Sequence, residues 1–120
     1  MSYSKGSDFA PHNMTSNTLP SPNVASDNGS FATLGPYKAF DGPIGIGNYW
    51  AGNQPGNWRL RLDRGSGNAK KLWSYKIFAN SIPEPNRCPK VWTFQGSNNE
   101  SDWTTIDTVS GQTAWGSGEA

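Results

Sequence analysis

Residues 58 to 63 read Trp-Arg-Leu-Arg-Leu-Asp, a strict alternation of apolar and charged side chains. Only an extended strand sends every second residue to the same face. The run therefore points Trp58, Leu60 and Leu62 toward a core and leaves Arg59 and Arg61 outside. Nowhere do apolar residues recur at helical i, i+3, i+4, i+7 spacing for more than two turns. Leu72 to Ala79 repeats the two-residue period, with Trp73, Tyr75 and Ile77 on one face and Ser74 and Lys76 on the other. Val91 to Gly96 and Trp103 to Val109 are two further strands, and residues 1–36 are expected to be mostly extended loop with at most one short strand near Val24-Ala25. Turn chemistry separates them: Asn28-Gly29, then Gly65-Ser66-Gly67-Asn68, then the stretch from Ser81 to Pro89 with its three prolines. The chain is expected to be all-β.

Composition supports a folded domain made with few aliphatic side chains. Leu, Ile, Val and Phe number only 18 of 120 residues, a level that accompanies disorder when net charge is high. Here the formal net charge is +1, and six Trp with four Tyr supply large contact areas, each on the order of 150–250 Å² when buried. Fourteen Gly and nine Pro without a period suit an all-β chain with many turns. Residues 1–22 are expected to be an extended N-terminal segment, and 1–120 one domain. Trp58, Trp73, Trp92 and Trp103 fall at inward strand positions and are expected in the core. Trp50 and Trp115 lie among Gly and Asn, where a ring can pack or stand exposed.

Near-neutral charge gives no general field for nucleic acid or an anionic membrane. Arg59, Arg61, Arg64, Lys70, Lys71 and Lys76 read as a solvated face, with Asp63 interleaved. No segment approaches the ~18 apolar residues of a membrane span. The single Cys88 permits no internal disulfide. A hydrolytic triad needs a base, and the one histidine, His12, stands in a polar segment without a Gly-x-Ser-x-Gly element. The carboxylates sit singly at turns or outward positions, as Asp63, Asp102 and Asp107 do, so no enzyme is expected. One Cys and one His make zinc improbable. Gly42 to Gly47 has no following helix to serve as a phosphate loop.

Four segments together, Ala39-Phe40-Asp41-Gly42, Tyr49-Trp50, Trp92-Thr93-Phe94-Gln95-Gly96-Ser97-Asn98 and Trp103, resemble a galactose-binding or discoidin-type domain, the jelly-roll β-sandwich of coagulation-factor C-type domains and many carbohydrate-binding modules. The similarity runs from about Asn13 to Gly118 and ends two strands early, so the expected sandwich lacks its last two strands. The resemblance implies a structural calcium at Asp41, with Lys38 and Asn48 the further positions of that loop; backbone carbonyls, a carboxylate and an amide suit such a hard cation. It also implies that loops at one end bind a glycan on a cell surface. In sugar-binding relatives the loop equivalent to residues 80–90 presents an Arg and an Asn, positions that Arg87 and Asn86 match here.

The ligand-binding residues expected on this basis are Tyr37, Trp50, Asn86, Arg87 and Trp115, acting without catalysis. An exported-looking fold with neither signal peptide nor disulfides suits cytoplasmic assembly and later exposure, as on a phage tail or other virion appendage. The alternatives are a structural virion module that holds other virion subunits, or an accessory module from a secreted glycoside hydrolase. Three glycosylation sequons begin at Asn13, Asn28 and Asn99.

Overall fold

A computed structural model describes residues 11–42, 49–53, 56–72, 74–78 and 88–115. Two compact units divide the chain, Met1–Tyr75 and Lys76–Ala120. Regular structure is almost wholly strand: β1 (Val24–Asp27), β2 (Leu60–Asp63), β3 (Trp92–Gly96) and β4 (Thr104–Val109), with a single 3-10 turn at Pro36–Ala39. These form two antiparallel two-stranded sheets, β1 with β2 and β3 with β4.

In the first unit the ladder runs Val24↔Asp63, Ala25↔Leu62, Ser26↔Arg61 and Asp27↔Leu60. The alternation at 58–63 yields a strand only from Leu60 onward, and all four of its residues are half-buried, so Leu60 and Leu62 are no deeper than Arg61 and Asp63. The apolar centre of this unit lies with Met14, 2% exposed, and Ala25, 3% exposed. Met14 is tied in by its N–H to the Phe40 carbonyl, and Ala25 by its N–H to the Asn17 carbonyl. Asn23, also buried, donates both its backbone and its side-chain N–H to the Pro20 carbonyl. That double bond satisfies a polar group that would otherwise be costly to bury.

The Trp58 ring lies against the backbone at two glycines. A Cβ at Gly52 would lie 2.4 Å from its Cε2, and one at Gly29 3.3 Å from its Cζ3. Glycine at these positions lets the indole lie against the chain. In a sequence short of aliphatic residues, this is how a large ring is half-buried.

In the second unit β3 and β4 pair from Trp92↔Val109 to Gly96↔Thr104, with a bulge opposite the Phe94/Gln95 junction that leaves Ile106 as the extra residue. The pairing continues irregularly, Gln112 N–H donating to the Lys90 carbonyl. Trp92, Phe94 and Gly96 are half-buried and Thr93 and Gln95 exposed, the alternation expected of a sheet covered on one side. Trp115 is 7% exposed and packs on Trp92, ring centroids 6.1 Å apart at 41°.

Two expectations are corrected. Residues 74–78 keep their alternating exposure, but Phe78 alone makes a β-bridge, so no strand forms among the described residues of that stretch. Alternation chooses a face; a strand needs a partner as well. Trp103 is not core: it is 38% exposed, one residue before β4, with its indole N–H on the Glu100 carbonyl at 3.2 Å.

Gly52→Ala should therefore lower unfolding stability by about 1–3 kcal/mol, because the new methyl overpacks against Trp58. Urea unfolding followed by circular dichroism measures it, and unchanged stability would show that the indole is not held on this glycine.

Candidate functional site

At the end of β1 the backbone ladder gives way to side-chain hydrogen bonds. Asp27 Oδ1 accepts the Gly29 N–H at 3.0 Å, an Asx turn. Its Oδ2 accepts the Ser30 hydroxyl and, at 2.6 Å, the Trp50 indole N–H. Ser30 forms a bridge with Gly52, and Phe31 N–H donates to the Ala51 carbonyl, which brings the Trp50 segment to the turn. Asn28 then takes the place a backbone pair would hold: its Nδ2 donates to the Asn57 carbonyl at 2.9 Å and its Oδ1 accepts the Arg59 N–H at 2.8 Å. Burial alone would raise the Asp27 pKa. The Ser30, Trp50 and Gly29 donors outweigh it and hold the carboxyl below its ordinary value.

Asp27 and Asn28 were not singled out by the sequence, beyond the turn expected at Asn28-Gly29. The available signal was Asp-x-Gly-Ser, a short acceptor followed two and three residues on by donors.

The Asp41-Gly42 pair follows the 3-10 turn. Pro36 opens that turn with its fixed φ, and the Tyr37 N–H donates to Asn17 Oδ1 at 3.2 Å. Lys38 Nζ lies 5.5 Å from the Tyr37 ring centroid, a cation–π contact. Gly42 has φ +98, and a Cβ there would stand 2.4 Å from the His12 carbonyl oxygen, so only glycine suits the close approach. Asp41 Oδ1 is buried and accepts no hydrogen bond among the described residues. Asn48, Asn86 and Arg87 lie outside the described residues.

Among the expected ligand-binding residues, Tyr37 and Trp50 are half-buried and belong to the first unit, Trp50 with its N–H engaged by Asp27. Trp115 belongs to the second unit, where its ring is taken up in packing on Trp92. Its Nε1 is buried without a hydrogen-bond partner among the described residues. Burial pushes the Cys88 thiol pKa up, which keeps it protonated and weakly nucleophilic at neutral pH.

Among the described residues no three His, Cys, Asp or Glu side chains cluster as a metal site, and no helix is long and apolar enough to cross a membrane. Comparison with protein-family models, curated proteins and solved structures gave no match.

Because the folded Asp27 carboxyl ionises more readily than the unfolded one, its stabilising contribution is complete well above the unfolded carboxylate value of about 3.9 and is lost as pH falls through the folded value. Asp27→Ala should cost about 1–3 kcal/mol near neutrality, partly from the Trp50 N–H left unpaired. The difference from the parent should shrink at low pH. Urea titrations from neutral to acid pH measure this, and a gap that does not narrow would show that the hydrogen bonds do not require the ionised form.

Proposed function

We propose that the chain is a non-enzymatic carbohydrate-binding module of the discoidin-type jelly-roll β-sandwich class, carried on a virion appendage such as a phage tail and directed to a host-surface glycan. Its strand-dominated structure suits that class. The observation that carries the reading is the buried Asp41 Oδ1 beside Gly42, without a hydrogen-bond partner among the described residues, in the segment Ala39-Phe40-Asp41-Gly42 that resembles the family's ion loop.

Leaving a buried acceptor unsatisfied costs about 1–3 kcal/mol, and more for a charged group. A bound cation removes that cost. Asp41 is thus chemically suited to a structural calcium, with Lys38 contributing through its carbonyl and Asn48 through its amide. In the first unit this reading offers a sugar the rings of Tyr37 and Trp50 for its C–H faces; in the second it offers, separately, the amide of Asn86 and the guanidinium of Arg87 for hydroxyls.

The rival reading, a structural module of the same fold holding other virion subunits, draws on the same resemblance, since function resides in loops grafted onto a fold.

Millimolar calcium should raise the melting temperature by binding the folded state preferentially, and Asp41→Ala should abolish the rise. An unchanged melting curve would leave Asp41 a turn role only. On a glycan array the chain should bind saccharides without releasing product. Arg87→Ala should then weaken binding by about 1.5–3 kcal/mol, the range for hydrogen bonds to a charged group. Failure to bind any glycan would favour the protein-attachment reading.

A further inference from the structure

We propose that Trp103 and the turn 97–102 form a binding site for neutral pyranose sugars. This inference rests on the carbohydrate-binding reading and adds to it a second set of sugar-binding residues, besides Tyr37, Trp50, Asn86 and Arg87.

The turn joins β3 to β4 and is locked from within. Asn99 Oδ1 accepts the Ser97 hydroxyl at 3.1 Å, the Ser101 N–H at 2.9 Å and the Asp102 N–H at 2.8 Å. Its Nδ2 donates to Asp102 Oδ2 at 2.7 Å, and its own N–H returns to Ser97 Oγ at 3.2 Å. The closure holds Glu100 in the left-handed region, φ 60, and the Glu100 carbonyl accepts the Trp103 indole N–H. The large ring is therefore oriented by a rigid turn while 38% exposed. An amphipathic ring held in place before the ligand arrives loses little entropy on binding.

In the turn that precedes it, Asn98, Glu100, Ser101 and Asp102 are polar and exposed. A pyranose has an apolar C–H face to set on an indole and hydroxyl donors at its rim. Asp102 spends Oδ2 on Asn99, yet an ionised carboxylate offers about four acceptor sites, so capacity remains for hydroxyls. The only charged residues from 97 to 103 are Glu100 and Asp102. That sign opposes sialylated and uronic sugars and selects neutral ones, because like charges brought together are penalised.

The test is calorimetric titration of the full chain with methyl glycosides of galactose, glucose, mannose and N-acetylglucosamine, with sialyllactose as the anionic probe. At least one neutral glycoside should bind and sialyllactose should bind more weakly. Trp103→Ala should reduce affinity at least about tenfold, with Trp103→Phe intermediate. Fluorine NMR of fluorotryptophan-labelled protein provides a second readout: the Trp103 signal, identified by its loss in Trp103→Phe, should shift when the bound glycoside is added. If Trp103→Ala does not fold, this shift decides the matter. Glycoside binding that Trp103→Ala leaves intact, or that leaves the Trp103 signal unmoved, overturns this site and leaves the carbohydrate-binding reading standing. Preference for sialyllactose overturns the neutral-sugar selectivity. Binding of none of the probes, by array or titration, overturns both.

Discussion

The Asp27 carboxylate, with the Asn28 carboxamide next to it, is the contact on which the first unit depends. A ladder of four residue pairs is short, and a two-stranded sheet alone is marginal in water. At its end, where backbone pairing stops, Asp27 gathers the turn and the Trp50 indole, and Asn28 holds the Asn57–Arg59 backbone on both its donor and its acceptor side. At the far end Asp63 performs a similar closure, its Oδ1 accepting the Gly65 N–H at 2.7 Å. Short polar side chains thereby finish what a longer ladder would do with backbone. Trp58, laid on Gly52 and Gly29, supplies burial in place of the missing aliphatic residues.

All four strands were legible in the sequence, but with different clarity. β3 and β4 fall within one residue of the expected Val91–Gly96 and Trp103–Val109 runs. Both are near in sequence and joined by a turn rich in Ser, Asn and Asp, so local chemistry suffices. β2 was expected two residues longer, because Trp58 and Arg59 continue the alternation while Asn28 offers them a side chain instead of a strand. The stretch from Leu72 was not legible. Its period is as good as that of β2, yet period specifies which residues share a face and says nothing of the neighbour that makes a strand.

The tryptophans show the same limit from another side. Counting along the strand that Trp103 precedes points its ring inward, and the Gly- and Asn-rich surroundings read for Trp115 allow its ring either to pack or to stand exposed. Their exposures differ in the opposite sense to those surroundings. Trp115 is buried because the Lys90–Gln112 hydrogen bond carries the chain back alongside Trp92. Trp103, one residue before β4, is 38% exposed with its N–H on Glu100, three residues away. The contact that buries Trp115 is not visible in a window of neighbouring residues. The jelly-roll arrangement inferred from the family resemblance demands still longer-range pairing than this.

Asp27 and Asp41 have the same side chain, and hydrogen-bond accounting separates them. Both are half-buried. Asp27 accepts three donors and holds its proton less readily for it, so its charge is already compensated and its role is to hold the fold. Asp41 keeps one buried oxygen without a donor among the described residues. A fold that satisfies one carboxylate so fully has no general shortage of donors: this chain is rich in Ser, Asn and backbone N–H groups at turns. The unfilled acceptor at Asp41 is therefore a property of that loop. It lies where the sequence most resembles an ion loop, beside a glycine that no other residue could replace without striking the His12 carbonyl. Two features thus meet at one residue pair: a buried acceptor without a donor among the described residues, and a glycine, φ +98, packed against the His12 carbonyl. That convergence, rather than the carboxylate alone, makes Asp41 a candidate for function and leaves Asp27 to structure.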